Sequence, residues 1–485
     1  MNIKPEYAHL PIDTKFFTDI EGLIIGLFDD LDSEIDGYLV NSENYQFLNS
    51  SLLKFSQSVK LIYIDPPFNL DSSDQFLYRT NYKDANWATL LENRIRLAWE
   101  FLRDDGAIVV RCDYNGNWIV RPLLEIIFGR DNFRNEISIR RFRKNTMNKS
   151  IKKLPAGLDT LFVFSKSDRF EYLNPVRPTY KKREGFWRHM GDSSGQGTPK
   201  KFFGKVLPPP SGKHWKYSQE KIDKMIQEGL IILECKVCGY RHNDYKSDWQ
   251  GCPTCGNDNP QPKYWVNASN SEVLDTNWVD IYGYSTQWEF STENSEKLLL
   301  RIIECATTRG DYVMDFFLGS GTTIAVAHKL GRKWIGVEMG EHFWTVVLPR
   351  MKKVLAGDKS GISNEVGWQG GGFFKYYCLE QYEDTLRKAH YEDADLFVDI
   401  RQDPYHSYVF LRDLKMLDAL EIQDEHTITF HPERLYENID LAETLSNLKG
   451  KWIRRLTKAY VEFEDGERVN LVQPNWQDFK PLIWW

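Results

Sequence analysis

Apolar positions along this chain alternate between two periods. Residues 60–64, KLIYI, form a short run of β-branched and aromatic side chains, the composition of a strand buried on both faces. The run ends at Asp65-Pro66-Pro67-Phe68, because two consecutive prolines cannot extend a hydrogen-bond ladder. Residues 86–106, NWATLLENRIRLAWEFLRDDG, repeat apolar side chains at i, i+3 and i+4 and predict an amphipathic helix closed by Gly106, with AIVVRCD as the next strand. Upstream, the first 36 residues predict helix, and GYLVNSENYQFLNSSLLKF predicts a strand, a polar turn and a helix. Strands that alternate with helical patterns of this length predict βαβ units and a parallel sheet.

The pattern breaks after Phe133. Residues 137–157 are basic and irregular, LDTLFVFSKSD is one more strand, and residues 179–215 mix Gly, Pro and Lys with aromatic rings. From residue 291 the α/β rhythm returns: helix STENSEKLLLRIIECATTRG, strand DYVMDFF, a glycine turn, helix GTTIAVAHKLG, strand KWIGVEM and helix EHFWTVVLPRMKKVL. These shifts predict an N-terminal helical segment (1–36), one half of an α/β core (37–131), an insert (132–284), the second half of the core (285–357) and a mixed, acidic C-terminal domain (358–485).

Charge sharpens this division. The formal net charge is −7, yet residues 130–216 hold 21 Lys or Arg against 7 Asp or Glu. A chain that meets nucleic acid would do so there. The candidates for phosphate contact are Arg140, Arg141, Arg143, Lys144, Lys152 and Lys153, although a charge run is also the ordinary make-up of a solvated face. No apolar run approaches the length of a membrane span, so a cytoplasmic protein with no membrane partner is expected.

Seven cysteines include two CxxC pairs, Cys235/Cys238 and Cys252/Cys255, separated by thirteen residues and each followed by glycine. Four thiolates in two knuckles suit tetrahedral zinc in a closed, structural site, a ribbon at 234–257.

Two further stretches carry chemistry. A strand ending in Asp315, the turn Gly319-Ser320-Gly321 leading into a helix, and a strand ending in Glu338 have the layout of a nucleoside-bearing cofactor site. The Lys of a phosphate loop is absent. The Asp65-Pro66-Pro67-Phe68 loop suits an exocyclic base amine as methyl acceptor. Its N–H groups would donate to the Asp65 carboxylate and the Pro66 carbonyl, and its ring would stack on Phe68 once the base had left the duplex.

In this order, DPPF, basic insert, DFFLGSGTT, the chain resembles the permuted β class of DNA amino-methyltransferases, and in particular the modification subunits of type III restriction systems. LVNSENYQFL, NWATLLENRIRLAWEFLRDDGAIVV and LGRKWIGVEM are similar to that family's segments, as are GGGFFKYYCLEQYEDTL and KPLIWW. The resemblance implies a Rossmann-like α/β sheet, S-adenosylmethionine as cofactor, and catalytic Asp65, Pro66, Pro67 and Phe68. It also implies cofactor contacts from Asp315, Phe316, Gly319, Ser320, Gly321, Thr322 and Glu338, with Glu43 and Asn44 near the adenine. DPPF is the form usual for adenine N6. The implied partners are double-stranded DNA, a second copy of the chain and a restriction or helicase subunit. Two positions depart from the family: Phe316 stands where Pro is usual, and Asn294-Ser295 where Lys-Pro is usual. Cytosine N4 as acceptor, and an inactive zinc-ribbon nucleic-acid-binding module, are the alternatives.

Overall fold

A computed structural model describes residues 18–67, 84–141, 154, 156–173, 175–288, 290, 292–379, 420–424, 427–431 and 440–472. Two compact units result, one from residues 1–174 and 275–485 and the other from 175–274.

The larger unit is built on a nine-stranded sheet. In chain order its strands are β1 (Gly37–Asn41), β2 (Val59–Ile64), β3 (Leu102–Cys112), β4 (Phe133–Arg140), β5 (Leu158–Ser165), β6 (Asn277–Tyr282), β7 (Tyr312–Asp315), β8 (Lys333–Glu338) and β9 (Phe374–Cys378). Across the sheet the order is β6-β4-β5-β3-β2-β7-β8-β1-β9. From β3 to β9 all neighbours run parallel, and β5 alone opposes both of its neighbours. Every residue of β2 is buried, as a strand covered on both faces requires. The fold is therefore α/β with a large, mostly parallel sheet. Strands β4, β5 and β6 come from the stretch read as insert, and β9 from the stretch read as C-terminal domain, yet all four extend this sheet.

Helices α1 (Asn44–Ser50), α2 (Asp84–Phe101), α3 (Asn117–Phe128), α4 (Glu296–Ala306), α5 (Thr322–Lys329) and α6 (Leu348–Leu355) join the strands. Helix α2 stops at Phe101, not at Gly106. Leu102 already pairs with Val59, and the register shifts before Leu61 meets Ala107. Gly106 sits in that irregularity, where a Cβ would stand 2.9 Å from the Arg103 carbonyl. Of the segment expected to be helical, residues 18–36 hold two short helices, Thr18–Ile25 and Leu31–Glu34, and residues 1–17 lie outside the described residues. A π-helical turn at Phe343–Val347 precedes α6, whose Pro349 sits in the first turn, where its missing N–H costs no helical bond.

Near β9, Lys54 and Lys375 pair with Asp32 and Glu443 in a buried cluster. It ties Leu31–Glu34 to helix Leu441–Lys449, and Asp32 Oδ2 also accepts from the Ile453 amide at 2.7 Å. Among the described residues no helix is long and apolar enough to cross a membrane.

The smaller unit has its own core, including Met190, Phe202, Trp215, Ile222, Leu233 and Tyr264. Its four-stranded sheet contains Ile231–Cys235 paired with Pro260–Val266. Strands Val176–Arg183 and Ser269–Val273 pair with each other at its two chain ends, and the Leu274 amide donates to the Pro175 carbonyl at 2.9 Å.

Candidate active site

Strands β2, β7 and β8 run parallel, so the residues that follow them emerge on one side of the sheet. A cavity of about 210 Å³ opens there. It is lined by Asp65, Pro66 and Pro67 after β2, by Phe316, Gly319 and Ser320 after β7, by Glu338 at the end of β8, and by Glu43 and Asn44 after β1.

The glycine turn needs its glycines for backbone reasons. Gly319 has φ +55° and Gly321 φ +79°, and Gly321 caps α5. Glu338 closes the turn: its Oε2 accepts from the Gly319 amide at 2.8 Å, and its Oε1 from the Met339 and Gly340 amides at 3.0 and 2.9 Å. Asp315, Gly321 and Thr322 are not among the residues that line the cavity. The Asp315 carboxylate accepts from Thr323 Oγ1 at 2.6 Å and from the Phe317 amide at 3.0 Å, and burial pushes it up to about 7. Arg350, fully buried, supports the turn from beneath, donating to the Ser320 carbonyl at 3.2 Å and to Thr322 Oγ1 at 2.9 Å. The acids that hold Arg350 are Glu296 at 2.9 Å and Glu293 at 3.5 Å.

On the opposite wall, Glu43 caps α1 through the Gln46 amide at 3.0 Å. Arg94 of α2 reaches Glu43 Oε1 at 2.5 Å and also donates to Asn44 Oδ1. Asn44 Nδ2 in turn donates to the Phe316 carbonyl at 2.9 Å. Phe316 itself is buried in the core, so it is its backbone that ties the two walls together.

The loop after β2 is pinned by Trp87, whose Nε1 donates to the Pro67 carbonyl at 2.8 Å. Asp65 Oδ2 accepts from Asn294 Nδ2 at 3.0 Å, and Arg111 Nη1 stands 3.7 Å away. Its Oδ1 is buried and has no hydrogen-bond partner among the described residues. Burial raises the Asp65 carboxyl to about 6, against the lowering effects of Arg111 and Asn294. Phe68 lies outside the described residues.

Of the basic candidates, Arg140 stacks on the Tyr282 ring at 4.5 Å, and Arg141 lies 3.3 Å from both Asp113 and Asp159. Arg143, Lys144, Lys152 and Lys153 lie outside the described residues. Arg94, Arg111 and Arg350 had no place in the sequence reading. One signal for Arg111 was available, a lone cation inside the apolar strand AIVVRC.

In the smaller unit, Cys235, Cys238, Cys252 and Cys255 place their sulfurs all within 4.8 Å of one another. Cys235 and Cys255 are 3.6 Å apart, and Cys238 and Cys252 3.3 Å. Sulfurs around one tetrahedral zinc stand about 3.8 Å apart, so the set fits such an ion. Each pair forms the same knuckle: Gly239, at φ +76°, donates to the Cys235 carbonyl, and Gly256, at φ +70°, to that of Cys252.

A family model described as DNA methylase, covering N6 and N4 methyltransferases, matches residues 59–348. The probable type III restriction-modification enzyme HindVI Mod subunit of Haemophilus influenzae is 28% identical over 472 residues, covering 80% of this chain and 60% of that protein. The type II methyltransferase M.EcaI of Enterobacter cloacae is 30% identical over 323 residues, covering 61% of this chain and 65% of that protein. This chain thus spans less than two thirds of the length of either relative. Among solved structures, the PvuII DNA methyltransferase (cytosine-N4-specific) matches with a TM-score of 0.33 and 15% identity, over 70% of this chain and 94% of that one.

Proposed function

The chain belongs to the N6/N4 DNA methylase family, and on that premise we propose that it transfers a methyl group from S-adenosylmethionine to adenine N6 in a short duplex sequence, with its motifs in permuted order. The observation that carries this reading is Asp65 Oδ1, a buried acceptor without a partner among the described residues, in the same cavity as the glycine turn and Glu338.

S-adenosylmethionine, when bound, supplies a sulfonium-activated methyl, so that forming the N–C bond breaks the C–S bond and releases S-adenosylhomocysteine. Glu338, the Phe316 to Ser320 wall, Glu43 and Asn44 would hold it. Asp65 Oδ1 accepts from the exocyclic amine, keeps its lone pair directed at the methyl carbon, and takes the proton that the transfer frees. The amine reaches Asp65 only from a base turned out of the stack, and Phe68 is proposed to stack on that base.

Zinc in the four-cysteine cluster would brace residues 175–274. The wider insert, 132–284, would read the DNA sequence, with Arg140, Arg141, Arg143, Lys144, Lys152 and Lys153 on phosphates. The relation to a Mod subunit supports placing the chain in a restriction-modification system, with a restriction subunit as partner and a dimer as working form.

Labelled S-adenosylmethionine and unmethylated genomic DNA test the reading. N6-methyladenine at one short motif, lost in Asp65→Ala, is expected. N4-methylcytosine would move the acceptor to cytosine, and no transfer by the unaltered chain would overturn the enzymatic reading in favour of a zinc-ribbon binding module.

A further inference from the structure

Arg111 lies on β3, beside β2, the strand that Asp65 follows, with no solvent exposure. A buried guanidinium persists where its donors are met; here both terminal nitrogens have partners, while Nε has none among the described residues. Nη2 donates to Asp159 Oδ2 at 2.7 Å, and Nη1 to the Gly283 carbonyl at 2.9 Å and to Asn294 Oδ1 at 2.5 Å. The guanidinium also sits 4.0 Å from the centre of the Tyr284 ring. At 3.7 Å, Nη1 is too far from Asp65 Oδ2 for a direct hydrogen bond.

Asn294 completes the link. Its Oδ1 accepts from both Arg111 and the Tyr63 hydroxyl, the latter at 2.9 Å, which fixes the amide so that Nδ2 faces Asp65. The amide and the cation thus both act on Oδ2, and Oδ1 is left without a partner among the described residues.

We propose that Arg111, acting through Asn294, is the positioning residue of Asp65: the pair holds one carboxylate oxygen and supplies the positive charge that keeps the carboxylate ionised in a buried setting. Only the use made of Oδ1 rests on the methyl-transfer reading. The other groups facing Asp65 oppose or leave its charge unaided. Asp113 and Asp159 raise its pKa, and Asp315 shares its field from β7. Arg141 pairs with Asp113 and Asp159. Tyr63, Cys112 and Tyr284 are pushed up by burial and stay neutral.

Infrared spectroscopy on the full chain, without cofactor or DNA, tests this. The protonated-carboxyl band that Asp65→Asn abolishes is followed through a pH titration. Its midpoint in the unaltered chain should lie near 6. Arg111→Gln should raise it by about 1–3 pH units, while Arg111→Lys, which keeps the charge, should hold it close to the original value. Arg111→Gln leaves Asp159 with less compensation, and Asp159 itself raises the Asp65 pKa, so the same titration is run on Asp159→Asn and on Arg111→Gln/Asp159→Asn, where the midpoint should rise relative to Asp159→Asn alone. A folded Arg111→Gln with its midpoint at the wild-type value, or a folded double variant with its midpoint at that of Asp159→Asn, overturns the proposal. Methyl transfer, measured separately, reports on the function alone, so the two failures are distinguishable.

Discussion

Asn294 Nδ2 lies 3.0 Å from Asp65 Oδ2, so a side chain at the entry to α4 sets the orientation of the carboxylate that follows β2. Asp65 is consequently held by one oxygen while burial resists its ionisation. The proposed methyl transfer needs the ionised form, so kcat should fall as pH drops through about 6. Asp65→Asn should lower kcat by about 100-fold or more and abolish this acidic limb, measured as initial rates between pH 5 and 8.

The same group makes a stability prediction of opposite sense. Its folded pKa lies above the carboxylate's ordinary value, so the native state loses stability as pH rises from about 4 to 6 and does not regain it above. At pH 8, Asp65→Asn should therefore be more stable than the unaltered chain, by about 1–3 kcal/mol, and the difference should vanish near pH 4. Urea unfolding at both pH values checks this.

Arg350 bridges the glycine turn and two buried acids. Arg350→Gln leaves Glu293 without that cation and withdraws support from Ser320 and Thr322. It should cost about 3–5 kcal/mol in denaturant unfolding, and calorimetry on the protein that remains folded should show weakened binding of S-adenosylmethionine.

The four cysteines should carry one zinc per chain. Stripping it, or Cys252→Ser, should expose residues 175–274 to limited proteolysis while the nine-stranded sheet retains its hydrogen-exchange protection, because metal binding and folding are linked in small four-thiolate sites.

His328 is buried and neutral. Trp334 Nε1 donates to its Nδ1 at 3.1 Å, so the proton is on Nε2, which faces the Gly371 carbonyl at 2.9 Å. Burial lowers its pKa below the usual value, so the unfolded chain binds a proton first and stability falls as pH drops below about 6.5. His328→Gln should flatten that decline in thermal melts between pH 7 and 5.

What the sequence disclosed was whatever a local pattern encodes. Asp65-Pro66-Pro67 shows as a strand stop, Gly319-Ser320-Gly321 as a turn, and the CxxC pairs as knuckles, each within a few residues. Arg111 and Asn294 escaped because their meaning lies in contacts with Asp159 and Asp65, 48 and 229 residues away. Asn294 was visible only as a departure from a family pattern, and its amide bond to Asp65 was not. Gly106 misled for a related reason. A glycine after an amphipathic run looks like a helix end, whereas Leu102 had already joined β2 across the sheet. Arg94 sits on the predicted helix, but its pairing with Glu43 depends on how α1 and α2 meet.

The smaller unit leaves the main chain at 174 and rejoins it at 275 through a single ladder, with Leu274 bonded to Pro175. A segment whose two ends meet is a cassette. Recombination at those two points could exchange this unit for another without altering the path of the nine-stranded sheet. Under the proposed function, in which this unit belongs to the sequence-reading insert, such a joint would let a lineage acquire a new target sequence in one genetic event.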